Sequence, residues 1–307
     1  MSGMVEMSTS SQAEQSNSKE VNMDVNIQII ENEVDVNQIP IYTGLVGGQP
    51  KTGKTTQCAS WSDKGRDGVL LIDTDMGADL VDSNRIPVTS INPPIRKVKT
   101  ETGTKKVIIP PEERGYIYRA GQHKGEPMPV YSLTEVYSWI QERITSNDFP
   151  YDTIVIDTID AINEWVEQAV MKKMQIDSMG QAGYGNDWFA AKEKNLKILD
   201  NFIDLWERNG INGLLVCHTK QRSVISDGTV QESPALPRGL SSVLQGKMTF
   251  ICNVKRNDKG KPYADFKAYS EKQVGSRIKA LNNKQIPFSY QAFKETIQNF
   301  KEDKKEN

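Results

Sequence analysis

Cysteine and long apolar runs are scarce in this sequence. Its three cysteines, Cys58, Cys217 and Cys252, lie far apart along the 307 residues. We therefore expect neither a disulfide framework nor a Cys/His metal site, and a reducing cytoplasm is the expected compartment. No apolar run approaches the length that spans a bilayer, and the polar amino terminus lacks the apolar core of a signal peptide. We expect no association with a membrane.

Aromatic residues are absent from residues 1–38, an acidic and polar segment rich in Ser, Gln, Asn and Glu. Such a segment cannot bury enough apolar surface to offset the entropy of ordering it, so we predict a disordered tail. Within it, Val25, Ile27, Ile29 and Ile30 favour either a short strand that pairs with another element or subunit, or only an apolar patch. We expect one domain over residues 39–300 and a charged tail over residues 301–307.

The segment from Gly48 to Thr56, GQPKTGKTT, matches the phosphate-binding loop Gly-x-x-x-x-Gly-Lys-Thr without a mismatch. Its glycines let the backbone turn tightly, so that N–H groups and the start of a following helix face phosphate oxygens. A surface turn is the alternative, but the apolar strand before the loop and the helical segment after it favour a nucleotide site. Lys54 is expected to reach the β and γ phosphates of ATP, and Thr55 to hold Mg²⁺. The residues predicted to contact nucleotide are Gly48, Gln49, Pro50, Lys51, Thr52, Gly53, Lys54, Thr55 and Thr56.

Three further apolar runs are predicted as buried parallel strands that end in polar residues. GVLLIDTD ends at Asp73 and Asp75, YDTIVIDTID carries Asp157, and INGLLVCHTK reaches His218. Open α/β sheets bind their ligands at the carboxyl ends of the strands. Asp157 therefore fits a Walker B carboxylate that orders the water shell of Mg²⁺.

Helical spacing predicts helices in YSLTEVYSWIQERI, after the Asp157 strand, in a long segment that ends at Asn209, and over Tyr290–Phe300. MTFICNVKR and PYADFKAYS are predicted as the two strands of a hairpin. Residues 90–130 interrupt this pattern and are predicted as an insertion that contains a hairpin turned at Glu101 to Thr104. We assign this insertion no function from the sequence.

The position of the carboxylate that activates water separates the classes of phosphate-loop proteins. In AAA+ machines a glutamate normally follows the Walker B aspartate, whereas Thr158 follows Asp157 here. GTPases need an Asn-Lys-x-Asp segment, and the sequence has none. RecA-like ATPases carry the carboxylate at the end of the strand after the loop helix, which is the position of Asp75. The order of elements therefore favours the RecA-like class over AAA+ machines.

Several motifs carry a closer resemblance. LLIDTDMGADL, IVIDTIDA and LLVCHTK resemble the RecA-family strands that bear the catalytic carboxylate, the Walker B aspartate and the γ-phosphate sensor. Together with the closing KQVGSRIKALNNKQIPFSYQAF, their order resembles phage-encoded RecA-like single-strand annealing ATPases over Ile39 to Phe300, with residues 90–130 outside the resemblance. The resemblance implies an α/β, RecA-like P-loop NTPase core with a mostly parallel central sheet, a β-hairpin insertion and a disordered amino-terminal tail.

The resemblance also implies roles for individual residues. Asp157 would order the metal water, and Asp75 would polarise the attacking water unless it only caps its strand. Because Asp75 is one methylene shorter than the usual glutamate, we expect slow hydrolysis unless a bound partner closes the site. His218 would sense the γ-phosphate, the alternative being a structural histidine. Lys272 and Arg277 match loosely the region that completes a neighbouring subunit's ATP site, the alternative being solvated surface cations.

Two loops occupy the positions of DNA-binding loops in RecA-like proteins, SMGQAGYGND and residues 221–246. Tyr184 in the first loop could stack on a base. The basic stretch 247–294, with eleven Lys/Arg against three acidic residues, could bind phosphates or be only a solvated face. The residues predicted to contact DNA are Tyr184, Lys220, Arg222 and Arg238.

The sequence thus predicts an ATP- and Mg²⁺-dependent ATPase that binds single-stranded DNA as a homo-oligomer, ring or filament, and promotes annealing or recombination. The resemblance implies a phage protein in the host cytoplasm, with a single-stranded-DNA-binding protein or a replication protein as a further partner. An NTPase that remodels or loads a protein partner, as a helicase loader does, is the first alternative. A nucleotide-dependent scaffold with negligible turnover is the second.

Overall fold

The computed structural model describes residues 35–223, 230–267 and 274–301, and nearly all of them belong to one compact unit that begins at Val36. The predicted strand around Val25 to Ile30 and the predicted cation Lys272 lie outside the described residues. Within the described ranges, no helix is both long and apolar enough to cross a membrane.

The described elements alternate between strands and helices along most of the chain. The strands are β1 (Thr43–Gly48), β2 (Val69–Asp73), β3 (Arg85–Ser90), β4 (Ile95–Thr100), β5 (Gly103–Ile108), β6 (Tyr131–Ser132), β7 (Thr153–Asp157), β8 (Asn212–Val216), β9 (Thr219–Ser223), β10 (Val230–Pro234), β11 (Phe250–Arg256), β12 (Pro262–Asp265), β13 (Gly275–Ser276) and β14 (Gln285–Pro287). The helices are α1 (Lys54–Cys58), α2 (Leu133–Thr145), α3 (Ile159–Met174), α4 (Asn186–Asn209), α5 (Arg238–Lys247) and α6 (Tyr290–Gln298).

A large, mostly parallel sheet organises the unit, in the order β14-β12-β11-β1-β8-β7-β2-β3-β6. The strands from β11 to β6 pair in parallel, whereas β12, β13 and β14 add antiparallel pairs at the β11 end. Strand β8 lies between β1 and β7, so that the phosphate-loop strand and the Asp157 strand are two positions apart. This arrangement confirms the predicted α/β P-loop NTPase fold.

Both faces of the sheet are covered, which explains why its strands read as unbroken apolar runs. Along β2, Leu70 and Ile72 join the core cluster under α2, α3 and α4, whereas Val69 and Leu71 join the cluster on the other face. Helix α4 lies so close to β8 that a Cβ on Gly213 would sit 1.9 Å from a ring carbon of Trp206. Glycine at that position therefore permits the close packing of helix on strand.

The structure corrects the expectation of one long loop over residues 221–246. Strands β9 and β10 pair antiparallel from Thr219↔Pro234 to Ser223↔Val230, and helix α5 follows them. Leu240 and Leu244 of α5 are buried in the main core cluster, one helical turn apart. Helix α5 was not predicted from the sequence, because its apolar stripe is short and lies between polar residues.

Several smaller predictions are confirmed. Helix α4 ends at Asn209, and Gly210 caps it with a left-handed φ of 66°. The β4–β5 hairpin is present, and Thr100 pairs with Gly103 across its turn.

The first described residues contact the last helix. Asn37, within the segment that was predicted as a tail, donates from Nδ2 to the carbonyl oxygens of Ile297 and Gln298 at the end of α6, and to that of Phe300 at 2.7 Å.

Candidate nucleotide site

A cavity of about 430 Å³ opens at the carboxyl edge of the central strands, where the sequence predicts a nucleotide. The phosphate loop forms one wall of it, from Pro50 to Thr56. The other walls carry Asp75, Asp157, His218 and Arg256. The structure therefore brings together the carboxylates and the histidine that were predicted from three separate strands.

The glycines of the loop meet specific steric requirements. A Cβ on Gly48 would lie 2.6 Å from the carbonyl oxygen of Val254, and Gly53 adopts a left-handed φ of 98° just before α1. Helix α1 is only five residues long. A phosphate bound here would meet the N–H groups of the loop and the ammonium group of Lys54.

The ammonium group of Lys54 is folded back onto its own loop. Its Nζ donates to the carbonyl oxygens of Gly48 at 2.8 Å and Gln49 at 3.0 Å, and the residue is only 6% exposed. Burial lowers the pKa of Lys54, and the carboxylate of Asp157 opposes that shift. A bound phosphate would offer this ammonium group a stronger, charged acceptor than the two carbonyls.

Thr55 and Asp157 both line the cavity and interact with each other. Burial raises the pKa of Asp157 to about 6, while the bond from the Thr55 hydroxyl opposes the rise and the nearby Asp75 adds to it. A hydroxyl beside a buried carboxylate suits Mg²⁺, which takes few protein ligands and completes its shell with water and phosphate oxygens. The described residues contain no set of three or more His, Cys, Asp or Glu side chains that could hold a metal by themselves. The pair therefore fits Mg²⁺ bound together with a nucleotide.

The two acidic residues at the end of β2 occupy different environments. Asp73 is 1% exposed, pairs with Arg85 at 2.8 Å, and accepts hydrogen bonds from the N–H groups of Gly77 and Ala78. Asp75 is exposed, lines the cavity, and accepts a hydrogen bond from the N–H of Gly77 at 2.8 Å. The structural role at this strand end thus belongs to Asp73, and Asp75 faces the space that a ligand would fill.

His218 is held by Asp160, a residue that was not predicted from the sequence. The backbone N–H of His218 donates to Oδ2 of Asp160 at 2.9 Å, and its Nδ1 lies 3.5 Å from the same oxygen. The interaction with Asp160 raises the pKa of His218 above its usual value. Asp160 lies in the first turn of α3, three residues after Asp157, and no local sequence pattern marks it as the partner of His218.

Arg256 is a second residue of the cavity that was not predicted from the sequence. It ends β11, and because β11 pairs with β1, its side chain reaches the phosphate loop. Its Nε donates to the carbonyl oxygen of Lys51 at 3.0 Å and its Nη1 to that of Gly260 at 2.6 Å. The chain therefore supplies a cation to its own site.

The phosphate loop also contacts the start of the β9–β10 hairpin. Gln49 donates from Nε2 to the carbonyl oxygen of Thr219 at 3.0 Å. Lys220 donates to the carbonyl oxygen of Ala235 at 3.2 Å and so closes the base of this hairpin. Arg222 lies in β9, opposite Gln231, and Arg238 is the first residue of α5.

Other predicted residues lie away from the cavity. Arg277 follows β13 beside the amino end of β11 and donates to the carbonyl oxygen of Gly246 at 2.6 Å. Tyr184 lies in the connection between α3 and α4, fully exposed, with a left-handed φ of 59°. Trp188 and Phe189, at the start of α4, are 42% and 63% exposed, and neither was predicted from the sequence as a site residue.

A phosphate loop on β1, a buried aspartate at the end of β7 and a nucleotide-sized cavity beside both define a P-loop ATPase-type domain. A family model described as an AAA domain matches residues 42–289, and because this is most of the chain, the protein belongs to that family. Comparison with curated proteins finds no match. Such a domain implies a nucleotide and, usually, Mg²⁺.

Proposed function

We propose that this AAA-family protein hydrolyses ATP slowly by a RecA-like arrangement of residues, binds single-stranded DNA as a homo-oligomer, and promotes strand annealing. The observation that carries the proposal is the junction at Thr219. Gln49 of the phosphate loop contacts the carbonyl oxygen of Thr219, and His218 immediately precedes it in the chain. The backbone at Thr219 thus connects the nucleotide cavity to the β9–β10 hairpin, which lies in the segment predicted to bind DNA.

The cavity residues support a hydrolytic role. Lys54 and Arg256 supply positive charge for the phosphates, and Thr55 with Asp157 would hold Mg²⁺, which supplies neutralisation of the phosphate charge when bound. Asp75 is the exposed carboxylate of the cavity and would orient the attacking water. Its short side chain supports slow turnover in the absence of a partner.

Coupling to DNA would pass through His218 and Gln49. A γ-phosphate in the cavity offers His218 a second acceptor besides Asp160, and the same phosphate would draw Lys54 away from Gln49. Both changes act on the residues that hold the start of β9. The occupancy of the cavity would therefore alter the position of the β9–β10 hairpin.

Exposed aromatic residues support contact with single-stranded DNA. Asn195 in the middle of α4 donates a hydrogen bond to Asn163 near the start of α3, so the two helices run antiparallel. The connection between them therefore lies at the end of the helical pair that is farthest from Asn163. This tip presents Tyr184, Trp188 and Phe189 to solvent. Aromatic side chains bind unpaired bases by stacking, whatever the sequence. Arg222 and Arg238 would add contacts to the DNA phosphates. In the homo-oligomer, Lys272 and Arg277 would complete the ATP site of a neighbouring subunit.

Fluorescence anisotropy with a labelled single-stranded oligonucleotide tests the DNA-binding part. We expect binding that weakens with salt and that differs between ADP and a non-hydrolysable ATP analogue. Tyr184→Ala and Trp188→Ala should each weaken it by about 5- to 150-fold, from about 1 to 3 kcal/mol per stacked base. Tyr116→Ala, at another exposed tyrosine, is the matched control and should bind as the wild type does. Equal affinity of all four proteins would contradict the proposal.

A second candidate function is ATP-dependent capture of a protein partner, such as a single-stranded-DNA-binding or replication protein. The apolar character of Trp188 and Phe189 favours it, because exposed aromatic residues are common at protein interfaces. Partner capture that needs ATP, combined with no affinity for DNA in the anisotropy experiment, would select this function.

A further inference from the structure

A cationic ribbon projects from the chain between β3 and β6. Among the residues that the structure describes, strands β4 and β5 pair only with each other, from Ile95↔Ile108 to Thr100↔Gly103, and every residue of both strands is exposed. We call residues 95–108 the ribbon. It follows β3 at the carboxyl edge of the parallel sheet, the edge that also holds the nucleotide cavity.

The positive charge of the ribbon is not fully neutralised by nearby acidic side chains. Its four lysines form no ion pair among the residues that the structure describes: Lys97, Lys99, Lys105 and Lys106. Lys97 and Lys106 lie directly opposite each other across the strands, a placement that destabilises a hairpin unless an anion lies nearby. The pattern therefore indicates an anionic partner.

The base of the ribbon is fixed to the body of the protein. Arg96 pairs with Glu113 at 2.7 Å, and Arg114 donates to the carbonyl oxygen of Ile109 at 3.0 Å. The same Arg114 side chain, 3% exposed, makes two bonds to Glu135, at 2.7 and 2.8 Å. Glu135 in turn caps the first turn of α2. The base of the ribbon is thus held in place before any partner binds, and this lowers the entropic cost of binding.

Both faces of the ribbon carry positive charge. Pairing and alternation put Lys97, Lys99 and Lys106 on one face and Lys105 on the other, where the charge of Arg96 is already paired with Glu113. A flat anionic surface would need cations on one face only, whereas a groove between two rows of phosphates suits cations on both. A two-stranded ribbon is narrow enough to enter the major groove of B-form DNA. Apolar contacts with sugars and thymine methyl groups would come from Ile95, Val98, Val107 and Ile108, which are 36% to 56% exposed.

We propose that the ribbon binds duplex DNA by inserting between its phosphate rows. This inference rests on the proposed function, because duplex DNA is the product of annealing, and it gives residues 90–130 a role in holding that product. Binding would come mainly from phosphate contacts and would therefore be strong at low salt and largely independent of base sequence.

The test compares the full chain with three variants in duplex and single-stranded DNA binding over a range of salt. The first replaces the four ribbon lysines by Gln, and the second replaces them by Arg. The third is a charge-matched control with Lys64→Gln, Lys172→Gln, Lys197→Gln and Lys301→Gln, four exposed lysines outside residues 90–130 and outside the basic stretch 247–294. Basal ATPase activity serves as the check on folding, since the ribbon lies outside the nucleotide cavity.

We expect the ribbon Gln variant to bind duplex DNA at least about 10-fold more weakly than the control variant at moderate salt. The slope of log affinity against log salt should fall by up to about 3.6, from about 0.9 for each phosphate that a ribbon lysine neutralises. The Arg variant should retain both the affinity and the slope.

Duplex affinity equal to that of the control variant would overturn the inference. Binding to polyglutamate, a model of an acidic protein, is measured with the same variants. If the ribbon Gln variant lost as much affinity for polyglutamate as for duplex DNA, the ribbon would be assigned to an acidic protein and the inference would be overturned. The inference and the proposed function fail separately. A wild-type chain that binds no single-stranded DNA, yet needs the ribbon for duplex DNA, refutes the proposed function alone.

Discussion

Gln49 donates a hydrogen bond from Nε2 to the carbonyl oxygen of Thr219 at 3.0 Å and so joins the phosphate loop to the β9–β10 hairpin. We predict that Gln49→Ala leaves basal ATP hydrolysis within about threefold of wild type while reducing stimulation by single-stranded DNA about fivefold, since one hydrogen bond contributes about 1 kcal/mol. Phosphate release with and without DNA measures both quantities. Gln141→Ala, on the exposed side of α2, is the control. If single-stranded DNA stimulated hydrolysis by the Gln49 variant as fully as by the wild type, this hydrogen bond would have no part in the coupling.

The assignment of Asp75 leads to two opposite predictions. Asp75→Asn should bind ATP with unchanged affinity but lower kcat by about 100-fold or more, because the amide cannot polarise water. Asp75→Glu should raise kcat, by up to about 100-fold, if the shorter aspartate holds its carboxylate about 1 Å too far from the water. Single-turnover hydrolysis measures both, and Asp258→Asn on an exposed turn is the control. Normal turnover by the Asn variant would refute the choice of catalytic carboxylate.

The pair of His218 and Asp160 predicts a shifted titration. The interaction with Asp160 raises the pKa of His218, so the imidazole should titrate above its ordinary value of about 6.5. This pair stabilises the fold fully below that value, and its contribution is lost as pH rises through the folded-state pKa. NMR titration can measure it directly, because the chain has only two histidines and His123→Gln assigns the remaining signal. Asp160→Asn should lower the measured pKa of His218, and an unchanged value would contradict the pairing.

The pair of Arg114 and Glu135 predicts a loss of stability in acid. The Arg114 guanidinium lowers the pKa of Glu135 from 4.5 to about 2. Because this pKa is depressed, its contribution to stability is present above about pH 4.5 and is lost as pH falls towards 2. Glu135→Gln should therefore reduce the free energy of unfolding by about 1 to 3 kcal/mol at pH 7, and by less at pH 3.

Urea denaturation of wild type and Glu135→Gln at both pH values measures the difference. Glu142→Gln, on the exposed surface of the same helix, serves as the control and should change stability little at either pH. An effect of Glu135→Gln that is the same at pH 7 and pH 3 would show that the ion pair is not its cause.

The parts of the site that lie on single strands could be predicted from the sequence. The phosphate loop, Asp75, Asp157 and His218 each follow or end an apolar run, and buried parallel strands produce such runs because both of their faces are covered. The sequence could not distinguish the roles of Asp73 and Asp75. That distinction depends on Arg85, which comes from the neighbouring strand β3.

Residues that join the site through strand order could not be predicted. Asp160 reaches His218 because β7 lies beside β8, and Arg256 reaches the phosphate loop because β11 lies beside β1. No local pattern encodes these neighbours. The same limit applies to Trp188 and Phe189, since helical spacing does not reveal that the start of α4 extends beyond the core that would cover it.

ATP hydrolysis by the purified full chain, with and without single-stranded DNA, tests the central claim most directly. We predict slow basal phosphate release, stimulation by DNA, and the absence of both in Lys54→Ala, because that variant removes the ammonium group that now lies 2.8 Å from the Gly48 carbonyl oxygen. Hydrolysis that Lys54→Ala abolishes but DNA leaves unchanged would contradict the proposed coupling between the nucleotide cavity and the DNA-binding loops.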